Sequence, residues 1–163
     1  MAGRIKGAAR PKPGPKTEVV RVTTTTKQMF VVLSTKVFGQ QIHFHGGRSH
    51  ECVADKRACE KCELGWPVKW KGYLHCVSRA NGHPCFVELT PTLSEMFDNL
   101  VSDEETFRGL VVEIWKSAGG AKGRYYVNRL SQVVNEKSLL PEEDPYPILS
   151  YLWTCKSKPS PKA

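Results

Sequence analysis

Between residues 43 and 62 the chain places three histidines and three cysteines in a single run, His43-Phe-His-Gly-Gly-Arg-Ser-His-Glu-Cys52-Val-Ala-Asp-Lys-Arg-Ala-Cys59-Glu-Lys-Cys62. A tetrahedral zinc ion takes four thiolate or imidazole ligands, and a Cys-x2-Cys pair supplies two from one tight turn while the others arrive from a preceding strand or loop. Cys52, Cys59 and Cys62 with one histidine would complete such a site. His45 is the preferred fourth ligand, because it leaves a predicted strand on the same face as His43. His43 and His50 are the alternatives, and His50 stands only two residues from Cys52, where joint ligation is sterically awkward.

The pattern favours a structural ion. A catalytic zinc keeps an open coordination position beside a general acid or base, as in the deaminase arrangement of His-x-Glu with a distant Pro-Cys-x2-Cys. Here His50-Glu51-Cys52 lacks that register and no proline precedes Cys59. Thioredoxin-like chemistry at Cys59-Glu-Lys-Cys62 would need a following helix, which Gly65-Trp66-Pro67 interrupts almost at once.

Charge is distributed unevenly. Residues 1–16 hold five lysines and arginines, residues 156–163 hold three lysines, and neither segment has an acid, which accounts for the whole formal charge of +8 and leaves 17–155 neutral. Both tails are rich in Pro, Gly, Ala and Ser, a composition too poor in apolar area to offset ordering entropy, so they are expected to be disordered and to attract polyanions loosely. Within 17–155 the charges are sorted. Residues 88–105 carry six acids and no base, whereas 108–137 carry six bases against Glu113 and Glu136. No apolar run approaches the roughly 20 residues of a membrane helix, and no secretory leader is visible at the N-terminus, so an intracellular, cytoplasmic setting is expected. In that reducing setting cysteines serve as metal ligands or buried thiols in preference to disulfides.

The elements read mainly as strands. Met29–Val37 is short and β-branched, and Phe38–His45 continues it after a bend at Gly39. Lys69–Ser78 and Cys85–Thr90 form a hairpin around Asn81-Gly82, a pair that tolerates the positive φ of a tight turn. Leu93, Met96, Phe97, Leu100 and Val101 follow a helical stripe beginning at Thr90-Pro91 or at a Thr92/Glu95 capping box. Leu110–Lys116 and Arg124–Leu130 make a second hairpin across a glycine-rich basic connection, and 145–153 suits a short closing helix. Strand, metal insertion at about 43–65, hairpin, helix, hairpin is the order of a small five-stranded barrel of the oligonucleotide-binding (OB) type, carried by a single domain over 17–155.

Lys69, Lys71 and Tyr73 share one face of a strand, so cations and an aromatic ring line up about 7 Å apart. Arg124 and Tyr126, with Asn128, repeat that pattern on the last strand, and Trp66 stands at the edge of the metal insertion. Single strands are held by this combination, phosphates on lysine or arginine and bases on aromatic faces. Trp70, Trp115 and Trp153 are assigned mainly to packing. No phosphate-binding Gly-x4-Gly-Lys loop, no Gly-x-Ser-x-Gly elbow and no His-Glu-x2-His helix is present, so no enzyme activity and no small-molecule substrate are expected.

The constellation of His45, Cys52, Cys59 and Cys62 after a first strand, followed by Trp-Lys-Gly-Tyr-Leu and Phe-Val-Glu-Leu-Thr-Pro-Thr, resembles small zinc-containing proteins of phage-like and mobile-element contexts. In ligand chemistry and general order it is distantly similar to the zinc-bearing single-stranded-DNA-binding protein of T-even phages. That resemblance covers about residues 29–130 and implies a barrel with a structural zinc, a single-strand-binding cleft, and a role in replication, recombination or repair beside other replication or recombination proteins. Such proteins commonly end in an acidic partner-recruiting tail, whereas this chain ends in Lys-Pro-Ser-Pro-Lys-Ala. From the residues alone, the competing reading is a zinc-stabilised adaptor that binds a protein through the acidic helix at 92–101 and the segment 145–153.

Overall fold

A computed structural model of the chain describes residues 17–119 and 123–154; the basic segments 1–16 and 156–163 lie outside the described residues. The elements in chain order are β1 (Glu18–Arg21), β2 (Gln28–Val32), β3 (Phe38–His45), β4 (Arg48–Glu51), α1 (Glu60–Glu63), β5 (Val68–Ser78), β6 (Pro84–Leu89), α2 (Pro91–Asp98), β7 (Leu110–Lys116), β8 (Tyr125–Val133) and α3 (Tyr146–Thr154), with a 3-10 turn at Glu136–Ser138. The molecule is mainly β, as expected, with short helices at its margins.

The strands form one mixed sheet in the order β1-β6-β5-β2-β7-β8, to which β3 and β4 attach through β5. All pairings are antiparallel except that of β1 with β6. No ladder joins β8 to β1 or β6 among the described residues, so the sheet is not closed into the five-stranded barrel that was expected. Part of the reason is β1, which the sequence reading omitted and which occupies the outer edge of β6.

β5 is the hub. Of its 11 residues, Gly72–Val77 pair with β6 along one edge, while on the other edge Cys76–Ser78 pair with β2 and Val68–Tyr73 pair with β3. Between those two ladders Leu33–Val37 oppose only Leu74 and His75, so the strand expected to run unbroken from Met29 to Val37 bulges outward. The bulge is anchored by polar contacts. Leu33 and Ser34 N–H both donate to the His75 carbonyl, Ser34 Oγ accepts from His75 N–H at 2.7 Å, and Arg108 Nη1 donates to the Leu33 carbonyl at 2.7 Å.

Alternation along the strands builds two apolar layers. Phe30, Val32, Leu74, Cys76, Cys85, Val87, Leu89, Val112 and Ile114 face one side, where Leu93 and Phe97 of α2 cover them. Cys76 and Cys85 lie opposite each other in register, as read from the hairpin. On the reverse side Ile42, Tyr73 and Phe86 receive Leu149 and Trp153 of α3. Helix α2 starts where expected, with Thr90 Oγ1 accepting from Leu93 N–H at 3.2 Å and Pro91 in the first turn, where its missing N–H is harmless. No helix among the described residues is long and apolar enough to cross a membrane.

Candidate metal centre and nucleic-acid interface

His45-Gly46-Gly47-Arg48 forms a two-residue hairpin. Both glycines have positive φ, 63° and 76°, which suits the mirror-image turn that matches strand twist. The turn folds β4 back along β3, pairing His45 with Arg48, His43 with His50 and Ile42 with Glu51, and the ladder ends as Cys52 N–H donates to the Gln41 carbonyl. Cys52 is thereby level with Gln41. At about 3.4 Å per residue, His43 is two positions from that level, roughly 7 Å, and His45 four positions, roughly 14 Å.

That arithmetic decides the fourth ligand. One donor atom from each of His43, Cys52, Cys59 and Cys62 lies within 4.8 Å of all the others. Cys59 Sγ and Cys62 Sγ are each 3.5 Å from His43 Nε2, and Cys52 Sγ is 3.6 Å from Cys62 Sγ. Bond lengths of about 2.3 Å to sulfur and 2.0–2.1 Å to nitrogen put the donors of a tetrahedral zinc about 3.6–3.8 Å apart, so the cluster has the size such an ion requires. His45, the expected ligand, stays outside. It is exposed and stacks on the Trp66 indole, with centroids 3.9 Å apart and planes 6° from parallel. His50, tilted against the same indole at 5.4 Å, also stays outside.

The cluster is prepared for a cation. His43 is fully buried and its Nδ1 lies 3.1 Å from the carbonyls of both Trp66 and Pro67. Two acceptors require the proton on Nδ1, which leaves the Nε2 lone pair facing the thiols, the tautomer a metal ligand needs. Cys59 opens the single turn α1, and the chain leaves that turn through Gly65 at φ 75°, with Trp66 N–H bonded to the Lys61 carbonyl. Backbone N–H groups of Val53 and Cys62 donate to the Cys59 sulfur and pull its pKa down to about 6. Cys62 moves the other way, up to about 12, because it shares a proton with Cys52 and three sulfurs crowd one another. A dication held by Cys52, Cys59, Cys62 and His43 would remove that conflict by keeping all three sulfurs as thiolates. Four protein donors are the number a tetrahedral ion takes.

The six residues expected to touch nucleic acid are sorted by the fold. Lys69, Arg124 and Tyr126 are exposed and Trp66 is half-buried. Lys71 is committed to an ion pair, its Nζ 3.0 Å from Glu88 Oε1, an oxygen that Arg21 Nε also approaches at 3.0 Å. Tyr73 is withdrawn altogether. It is 2% exposed, donates to Glu88 Oε2 at 3.4 Å, and lies against Trp153. The expected stacking role for Tyr73 therefore fails, because α3 covers that face of β5. Sequence reasoning also missed contributors to the β7–β8 face, where Trp115 stacks on Tyr126 at 5.5 Å with Lys27 Nζ 4.7 Å from its ring centroid. The in-register pairing of the second hairpin, Trp115 opposite Tyr126, was the available signal.

Compared with protein-family models, with curated proteins and with solved structures, the chain matches none.

Proposed function

We propose that this protein is a non-enzymatic, sequence-tolerant binder of single-stranded nucleic acid, DNA in preference to RNA, stiffened by a structural zinc and acting inside the cell in replication, recombination or repair. The observation that carries the reading is the strand connectivity. With β2 and β3 counted as one bent strand, that strand lies between β5 and β7, β6 flanks β5, β8 flanks β7, and α2 joins β6 to β7. This is the order of a partly open OB-type barrel, whose loops between strands 1 and 2 and between strands 4 and 5 border the oligonucleotide. Here those loops are the segment 46–67, which carries Cys52, Cys59 and Cys62, and the connection between β7 and β8, whose described residues include Arg124. The one-histidine, three-cysteine ligand set supports the same reading through the resemblance to zinc-bearing phage proteins. His43, Cys52, Cys59 and Cys62 would hold the ion, whose chemistry here is to fix the 48–67 segment beside β5.

The test is a titration of the full chain with fluorescent oligo-dT and a matching duplex at low and moderate salt, repeated on a full-length variant with the eight tail lysines and arginines changed to glutamine. Single-strand preference that survives tail neutralisation, with affinity falling as salt rises, is the expected result. Association that needs the basic tails and ignores strandedness would refute the proposal. It would favour the adaptor reading, for which Tyr151 and Leu152, 69% and 48% exposed on α3, offer an apolar surface.

A further inference from the structure

The sheet's open seam holds a cleft of about 410 Å³, whose lining includes Arg21, Lys69, Trp70, Lys71, Glu88 and Tyr125. We infer that this cleft receives one nucleotide unit of a single strand, its base on Trp70 and its phosphate toward Lys69 and Arg21. The inference rests on the function proposed above and assigns that function a place.

Trp70 carries the argument. Gly39 and Gly72 are opposite each other in the β3–β5 ladder, and a Cβ built on either would meet atoms of the Trp70 ring at 2.6 Å. The indole therefore lies directly on bare backbone, a shelf that any other residue at 39 or 72 would disrupt. A tryptophan serving only as core filler would be enclosed by side chains; this one is half-buried and borders two cavities, the cleft and a smaller groove that runs to Cys52 and Asp55. Tyr125 lines the cleft with its ring held under Lys116 Nζ at 4.8 Å.

Charge selects the ligand class. Among the six residues named, three cations face one carboxylate, and Glu88 spends its charge holding Arg21 and Lys71 in place at 3.0 Å each. Lys69 is exposed, and the Arg21 side chain is 56% exposed, so both can meet a phosphate at the rim. The Glu88 side chain is only 12% exposed and its charge is taken up by Arg21 and Lys71, so the cleft keeps a surplus of positive charge at its rim. A planar base inside and a phosphodiester at the mouth satisfy that arrangement.

The experiment uses the zinc-loaded full chain and oligo-dT carrying one 5-iodo-deoxyuridine, cross-linked by near-ultraviolet light and mapped by mass spectrometry. Cross-links at Trp70 or Tyr125 are expected. Lys69→Ala, on an exposed side chain that leaves the fold intact, should lower the magnitude of the salt slope by about 0.7. Trp70→Phe should keep most of the affinity and Trp70→Leu should lose about tenfold. If oligo-dT binds but cross-links to Trp115 or Tyr126 while Lys69→Ala changes nothing, the cleft assignment is wrong and the single-strand reading stands. If the full chain binds no oligo-dT, both fall.

Discussion

Replacing His43 and His45 separately by alanine should have opposite consequences for the metal. Structural zinc sites bind with about 10–16 kcal/mol of apparent free energy in small domains; shared over four donors, one ligand is worth about 2.5–4 kcal/mol, or about two to three decades of affinity. His43 supplies one of the four donor atoms and is locked to the carbonyls of Trp66 and Pro67, so His43→Ala should weaken zinc binding by that amount. His45 gives up only its stack on Trp66, so His45→Ala should cost at most about 1 kcal/mol of stability and leave metal affinity within about threefold. Competition against a chromophoric chelator measures the affinities. Cobalt substitution reads the ligand set independently, since losing the imidazole shifts the visible d–d bands whereas losing the stack does not. A His45→Ala protein that loses its metal while His43→Ala keeps it would refute the strand arithmetic and the ligand assignment with it.

Three further outcomes follow from the same geometry. Because Cys62 is pushed up to about 12, metal loading near neutral pH must release its proton, so affinity should rise about tenfold per pH unit for each proton released, visible in calorimetry as a dependence on buffer ionisation enthalpy. Tyr73→Phe should cost under about 1 kcal/mol in urea unfolding and leave oligo-dT binding unchanged, while Tyr73→Ala should cost about 3–5 kcal/mol, as expected of a buried ring under α3. Burial lowers the His75 pKa below 6.5, opposed by the carboxylates of Glu143 and Glu142, so between its folded pKa and 6.5 the unfolded chain binds more protons. Stability should therefore fall as pH drops below about 6.5, and His75→Gln should flatten that part of a melting-temperature profile.

The sequence reading recovered the hairpins and the three cysteines because those signals are local. Asn81-Gly82 announces a turn, Cys59-x2-Cys62 announces a knuckle, and alternation around Leu74 and Cys76 announces a half-buried strand. What it misplaced depends on distant neighbours or on a turn left unread. Gly46-Gly47 is itself a hairpin signal, and reading it would have put Cys52 level with Gln41 and selected His43 over His45. Tyr73 could not be judged from its own strand, because its cover comes from Leu149 and Trp153 more than 70 residues later. β1 is four residues long with Val19 and Val20 between charged ends, too short for periodicity to show, and its parallel pairing with β6 is a tertiary event. Trp70, assigned mainly to packing, owes its half-buried seat to glycines on two strands.

The position of β5 has a consequence for synthesis of the chain. β1 waits for β6, β2 waits for β5 and β7, and of the ladders described above only β3–β4 is complete before residue 68 is made. All four metal ligands also precede that residue. A nascent chain emerging N-terminus first can therefore capture its ion on a short hairpin and knuckle while the strand that unites the sheet is still inside the ribosome. Metal supply during translation, more than metal supply to the finished protein, would then govern how much of it matures with β3 already in register for β5.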